Sequence, residues 1–334
     1  LVVLIAWQHE QLFEWADSYL WFWDDPPDRI APSKFFLFSS VAAFAIIASS
    51  LTVITGWSGQ VSLAQAAYAG IGALTAAALT RGAELDIGLG DTRLLDVEFH
   101  ALPTMPAMVV AAAFTAGVAA VTGIGALRVS GVKLAISTVA FALAAEVYLY
   151  DRPFFSDGGD SVVFERGWLF NWNLRDQRSF FYFALFCLVL TILIIGRLRR
   201  SGVGRSIIAV RDNRDSASAY TVSPARMKLT AFAVAGGIAG FGGAVFGNGV
   251  RQVRFADAHF QLDDSIAVGN MAVIGGLGSV IGPVLGAFWV IGLPSFFNDN
   301  AIVTLVTSSV GFLVVLMYFP GCLLYTSPSP RDLN

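Results

Sequence analysis

Side chains able to do covalent or metal chemistry are few and scattered in this 334-residue chain. The histidines are His9, His100 and His259, and the cysteines are Cys187 and Cys322. None of them falls at the close spacing from which a zinc site draws its ligands. Hydroxyls within the apolar segments have no adjacent His or carboxylate, so no nucleophile–base pair is evident. No Gly-rich segment ends in Gly-Lys-Ser or Gly-Lys-Thr, the signature of an ATP-binding phosphate loop. The remaining polar groups are of another kind. Gln60, Ser62, Gln65, Tyr68 and Asn270 lie in or beside apolar runs. Buried polar groups need partners. Gln65 and Tyr68 are three residues apart and share a helix face. A passing zwitterion or a neighbouring helix could supply the missing partners, and the residues alone leave both readings open. Glu146 is the acidic residue inside a strong apolar run. It lies four residues before Tyr150, near enough to an interface to reach water, and reads as structural or interfacial.

A second group is electrostatic. Arg197, Arg199, Arg200, Arg205, Arg211, Arg214, Arg226 and Lys228 crowd into 197–228, opposed only by Asp212 and Asp215. Within this stretch, 204–220 reads GRSIIAVRDNRDSASAY. Ile207, Ile208, Val210, Ala217 and Tyr220 predict one short amphipathic helix. It is too short to cross a membrane. It can lie on anionic lipid or dock into a partner's groove.

The elements that position these residues follow from composition. Hydrophobic residues make up 56% of the chain and charged residues 13%, against about a quarter in soluble domains. So few charges cannot cover a water-facing surface of this size, whereas a bilayer favours apolar side chains outward. The expected fold is an all-α, polytopic transmembrane bundle. Runs at 35–55, 61–80, 106–127, 132–150, 180–196, 229–250, 265–297 and 301–319 are candidate spans, and 1–7 looks like the cut end of another. That makes roughly eight to ten crossings. The 265–297 stretch is interrupted by Gly275, Gly276, Gly278, Gly282 and Pro283, all weak helix formers. Unwound backbone at membrane depth must be buried in protein or face a water-filled cavity. Broken or re-entrant helices beside a translocation path are therefore expected here, with Asn270, Gly275 and Gly276 as candidates. Glycine used only for close helix packing is the plainer alternative. Excess Lys and Arg mark cytoplasmic loops, which puts 197–228 and 128–131 inside and the more acidic 9–33, 81–105 and 151–179 outside. Trp7, Trp15, Trp21, Trp23, Trp168 and Trp172 then fall at outer boundaries, as an interfacial belt. Residues 1–325 read as a single transmembrane domain with an incomplete N-terminus. The polar, Pro-rich 326–334 reads as a non-native tail.

Three blocks carry a resemblance. They are GWSGQVSLAQAAYAGIGAL at 56–74, RSGVGRSIIAVRDNRDSASAY at 200–220 with KLTAFAVAGGIAGFGGAVFG at 228–247, and MAVIGGLGSVIGPVLGA at 271–287. LRVSGVKLAISTVAFA at 127–142 adds to them. Over about 35–321 the chain resembles the permease subunits of bacterial ABC importers for branched-chain amino acids, in particular the M-type partner. The resemblance implies a second permease subunit in a heterodimer, two ATP-binding cassette ATPases and a periplasmic solute-binding protein, in the bacterial inner membrane. It also implies that ATP and Mg sit on the ATPases and that this chain binds no cofactor. The 204–220 segment looks like the coupling helix, with Gly204, Arg205, Arg211, Asp212 and Asn213 as its ATPase contacts. The 56–74 block looks like a lining of the path, which would place Gln60, Ser62, Gln65 and Tyr68 along it. Two positions depart from the family pattern. Thr221 stands where Gly is usual, and Leu143 where an acidic residue is common. Urea or short-chain amides are the alternative cargo, and a passive channel is a less favoured reading.

Overall fold

The computed structural model describes residues 32–82, 84–89, 92–98, 101–127, 131–150, 161–164, 168–169, 172–254, 260–295, 309–310 and 313. The 1–7 segment, the three histidines, the 326–334 tail and nearly all of 9–33 and 301–319 lie outside the described residues.

The apolar runs become helices. α1 (Pro32–Leu51) continues into a π-helical turn, Thr52–Trp57. Its buried hydroxyls do not need outside partners. Ser39 and Ser49 donate to the carbonyls of Phe35 and Ala45 (2.7 Å each), and Ser50 to Ile47 (2.6 Å). This back-bonding is how Ser tolerates an apolar setting. Residues 58–64 are not helical, and α2 (Gln65–Arg81) begins only after them. The predicted 61–80 span is therefore corrected at its start. Gly59 takes φ +67°, a left-handed backbone that cannot continue a right-handed helix.

An antiparallel hairpin follows, β1 (Glu84–Leu89) with β2 (Thr92–Glu98). Next come α3 (Thr104–Ala126) and α4 (Val132–Ala144), the latter ending in a π turn at Ala145–Leu149 that holds the half-exposed Glu146. β3 (Ser161–Val163), β4 (Trp168–Leu169) and β5 (Trp172–Asn173) precede the long α5 (Gln177–Arg200). The basic segment forms α6 (Gly202–Asp212) and α7 (Arg214–Ala219). α8 (Pro224–Val250) starts with proline in its first turn, where the missing N–H costs nothing. It runs into β6 (Gln252–Arg254). The chain then enters α9 (Leu262–Gly275), turns, and returns through α10 (Gly282–Ala287), a π turn and α11 (Leu293–Ser295).

Helices at Lys34–Trp57, Thr104–Gly125, Gln177–Arg200 and Pro224–Val250 are long and apolar enough to cross a bilayer. The bundle centres on α2, whose residues from Gln65 to Thr80 are all buried. Small residues bring its neighbours to backbone contact. A Cβ on Gly243 of α8 would overlap the Ala69 backbone, and one on Gly72 would overlap Gly240. Gly236 meets the Ala119 side chain of α3 in the same way. Lipid offers no hydrophobic drive between helices, so close van der Waals approach has to supply the attraction. α5 shows the complementary surface. Leu185, Phe186, Val189, Leu190, Leu193 and Ile194 are exposed, while Phe180, Phe183, Ala184, Cys187, Leu188, Thr191 and Ile195 are buried. That is one helical face toward protein and one toward an apolar surround.

α8 also separates the two sides of the molecule. Its first turns pack beside α6 and α7. At its other end β6 pairs antiparallel with β3, Val253 opposite Val162. The basic segment and β3 are thus at opposite ends of one membrane-length helix, as the charge bias predicts. Strand pairing in the outer loops is additional to the all-α expectation and leaves the bundle unchanged.

Candidate functional site

The basic segment is two helices, not one. Asn213 is extended (φ −153°, ψ 105°) between α6 and α7, and its side-chain oxygen accepts from the Ser216 N–H at 2.9 Å. An N-cap of this kind starts a new helix and ends the previous one. The single 204–220 helix is corrected accordingly. Tyr220 is 81% exposed instead of lying on the apolar face. α6 does present an apolar face, with Gly204, Ile207 and Val210 buried. The Gly204 N–H donates to the Ser201 hydroxyl (3.3 Å), and a Cβ on Gly204 would overlap the Leu198 carbonyl at the end of α5. Gly204 therefore fixes how tightly α6 folds back on α5. Of the five residues predicted for ATPase contact, Arg205 and Asp212 project outward, Gly204 and Asn213 shape the element, and Arg211 turns inward. Arg214, Asp215 and Ser218 extend the exposed polar face.

Arg211 links this element to the break between α1 and α2. Its Nη1 donates to the Gly56 carbonyl. Its Nε and Nη2 donate to Asp212 Oδ1 at 3.0 and 2.9 Å. Its aliphatic stem lies across Gly59, where a Cβ would come within 2.9 Å of Cγ. Gly56 in turn abuts the Leu277 carbonyl closely enough that a Cβ would overlap it. Thr52 Oγ1 lies 3.5 Å from the Ser279 carbonyl.

Leu277 and Ser279 belong to the tip of the α9–α10 hairpin. The two legs touch at backbone level, Gly275 against Gly282 and Gly286 against Met271. Gly276 takes φ +92° at the turn. The α9 leg, 14 residues, is about 21 Å long at 1.5 Å per residue, short of the roughly 30 Å of hydrocarbon. The break predicted from Gly275 to Pro283 is present, and it forms a hairpin whose tip lies beside the π turn of α1. Asn270 sits half-buried in the first leg.

The predicted path residues are enclosed. Gln60, Ser62, Gln65 and Tyr68 are buried, at 6%, 2%, 1% and 1% exposure. Gln65 Oε1 accepts from the Ser50 hydroxyl at 2.8 Å, and the Tyr68 hydroxyl pairs with Thr122 at 2.6 Å. Gln60 Nε2 donates to Ser58 Oγ at 2.5 Å. The Ser62 hydroxyl is 3.5 Å from the Gln65 amide nitrogen. Their partners are within the chain. Burial alternates along the break, with Gln60, Ser62 and Ala64 inward, Gly59 and Val61 exposed and Leu63 between. That period of two belongs to extended backbone. The Trp57 indole N–H, on the last residue of the π turn before the break, is buried with no acceptor among the described residues.

A family model described as branched-chain amino acid transport system / permease component matches residues 34–320. The chain belongs to this family. Among curated relatives, the high-affinity branched-chain amino acid transport system permease protein LivM of Escherichia coli K12 is 28% identical over 321 residues, 87% of this chain and 70% of the relative. LivM of Salmonella typhimurium LT2 is 28% identical over 301 residues, 82% of this chain and 65% of the relative. The xylose transport system permease protein XylH of Escherichia coli K12 is 30% identical over 123 residues, only 35% of this chain. No solved structure matches the chain. As a permease component the protein is a transport subunit, multi-pass in the bacterial inner membrane, in keeping with the four helices among the described residues that are long and apolar enough to span.

Proposed function

We propose that this permease carries branched-chain amino acids inward as the membrane subunit of an ATP-driven importer working by alternating access. The partners in this reading are a second permease subunit, two ATP-binding cassette ATPases that hold ATP and Mg, and a periplasmic solute-binding protein. The observation that carries it is the family match across 34–320, extended by LivM-type relatives that align over most of the chain while the sugar-type relative aligns over about a third. The geometry supports the division of labour. α6 and α7 form a compact polar ledge rooted between α5 and α8, and a rigid ledge can pass on a rigid-body motion of a docked partner. Arg205 and Asp212 are the proposed ATPase contacts, with Gly204 and Asn213 setting the shape of the ledge. The proposed path runs along the 58–64 break and the hairpin tip, near Asn270, Gly275 and Gly276. Its exposed side offers apolar Val61 to the cargo, and Gln60, Ser62, Gln65 and Tyr68 hold the wall behind.

The test is uptake of labelled leucine by proteoliposomes holding the full complex, with and without ATP and with urea as competitor. ATP-dependent leucine uptake that urea does not compete supports the reading. Urea uptake in its place reassigns the cargo, and flux that ignores ATP defeats the importer reading.

A further inference from the structure

We infer that Arg211 is a positioning residue that couples the ATPase-facing ledge to the tip of the α9–α10 hairpin, through the backbone of the Gly56–Gly59 turn. The inference rests on the importer reading and deepens it. A charged residue on an exposed amphipathic helix would be expected to face outward. Here the guanidinium reaches in to the Gly56 carbonyl, and the stem is laid over Gly59. Asp212 Oδ1 accepts from Nε and Nη2, the edge of the fork away from Gly56, and so favours the inward orientation of Nη1. The far side of Gly56 is pressed on the Leu277 carbonyl, and Thr52, four residues earlier, faces Ser279. Three backbones are thus stacked, α6 through one side chain, then the 56–59 turn, then the hairpin tip. The second of these contacts is backbone on backbone, because Gly56 has no Cβ to hold it off the Leu277 carbonyl, while the first is made through the Arg211 side chain. A displacement of α6 along the Arg211 bond pulls on the turn, and the turn bears directly on the tip. The turn also has a donor to offer in another arrangement, since the Trp57 N–H is buried without an acceptor among the described residues.

The test uses the assembled complex in proteoliposomes, with Arg211→Met to remove the guanidinium while keeping the stem and Arg211→Lys to return one donor. Two quantities are read. The first is leucine taken up per ATP hydrolysed. The second is the effect of ATP plus vanadate on the thiol-labelling rate of Ser279→Cys, in a Cys322→Ser background with Cys187 buried. Arg211→Met should keep its ATPase subunits through purification, lose about tenfold in uptake per ATP, the scale of one charged hydrogen bond, and lose the nucleotide effect at position 279. Arg211→Lys should recover part of both. Unchanged uptake per ATP, or a nucleotide effect that persists in Arg211→Met, overturns the inference. Loss of the ATPase subunits does so too, because Arg211 would then be a docking contact. A native complex with no ATP-dependent uptake defeats the functional reading itself and takes this inference with it.

Discussion

Thr221 adopts φ +64° just after α7, where a β-branched side chain meets its own backbone. The resemblance flagged this position in advance, since glycine is usual there. Thr221→Gly should stabilise the protein by about 1 kcal/mol, the relief of strain less the entropy glycine adds to the unfolded chain. A higher thermal midpoint in detergent would show it, and a lower one would mean the Thr side chain makes a compensating contact. Arg205 belongs to the opposite class, exposed on α6 as Arg214 and Asp215 are on α7. Arg205→Glu should abolish ATP-driven uptake while expression and membrane insertion stay normal. Uptake at the native rate would remove Arg205 from the coupling surface. The types of these residues were legible in the sequence, but their directions were not. Arg205 and Arg211 lie on one short helix in similar company, and only the placement of Gly56 and Gly59 beneath α6 decides that Arg211 turns in. For Asn213 a signal was available. Asn followed two residues later by Asp is a helix-start pattern, and it predicts the break the structure contains.

At the scale of elements, apolar run length located the long helices well because hydrocarbon thickness dictates it. The break at 275–283 was equally readable from its glycines and proline. The 84–98 hairpin lies in a segment expected only as an outer loop, although Leu85, Ile87 and Leu89 alternate with Glu84, Asp86 and Gly88 in the period of a strand. The late start of α2 was hidden for another reason. Residues 61–64 are as apolar as a helix requires, and the backbone of Gly59 overrides them. Helix packing gives a paired prediction. Gly243→Val should destabilise the bundle by about 3 kcal/mol or prevent assembly, because its side chain would overlap the Ala69 backbone. Gly117→Ala in α3 meets nothing within 4 Å and should stabilise by roughly 0.5–1 kcal/mol. Thermal unfolding of the two variants in one detergent compares them directly. Equal midpoints would mean that α8 does not pack on α2 as described.

For the whole molecule, the β3–β6 pairing and the ledge at the start of α8 define two ends, and the hairpin tip falls with the ledge. Ser279→Cys and Asp212→Cys should therefore be labelled by a membrane-impermeant thiol reagent from the same side, in inside-out vesicles and not in right-side-out ones. Labelling of the two from opposite sides would refute the placement of the tip. One consequence of the stacked contacts at Gly56 concerns how such a chain can vary over time. The grip between the turn and the tip is made by peptide groups, which every amino acid carries alike. Side chains at 277, 279 and 280 can drift without loosening it, while positions 56, 275 and 282 have no freedom to acquire even a methyl group. A machine held in this way would keep its timing while the surfaces around the moving parts were rewritten for another cargo.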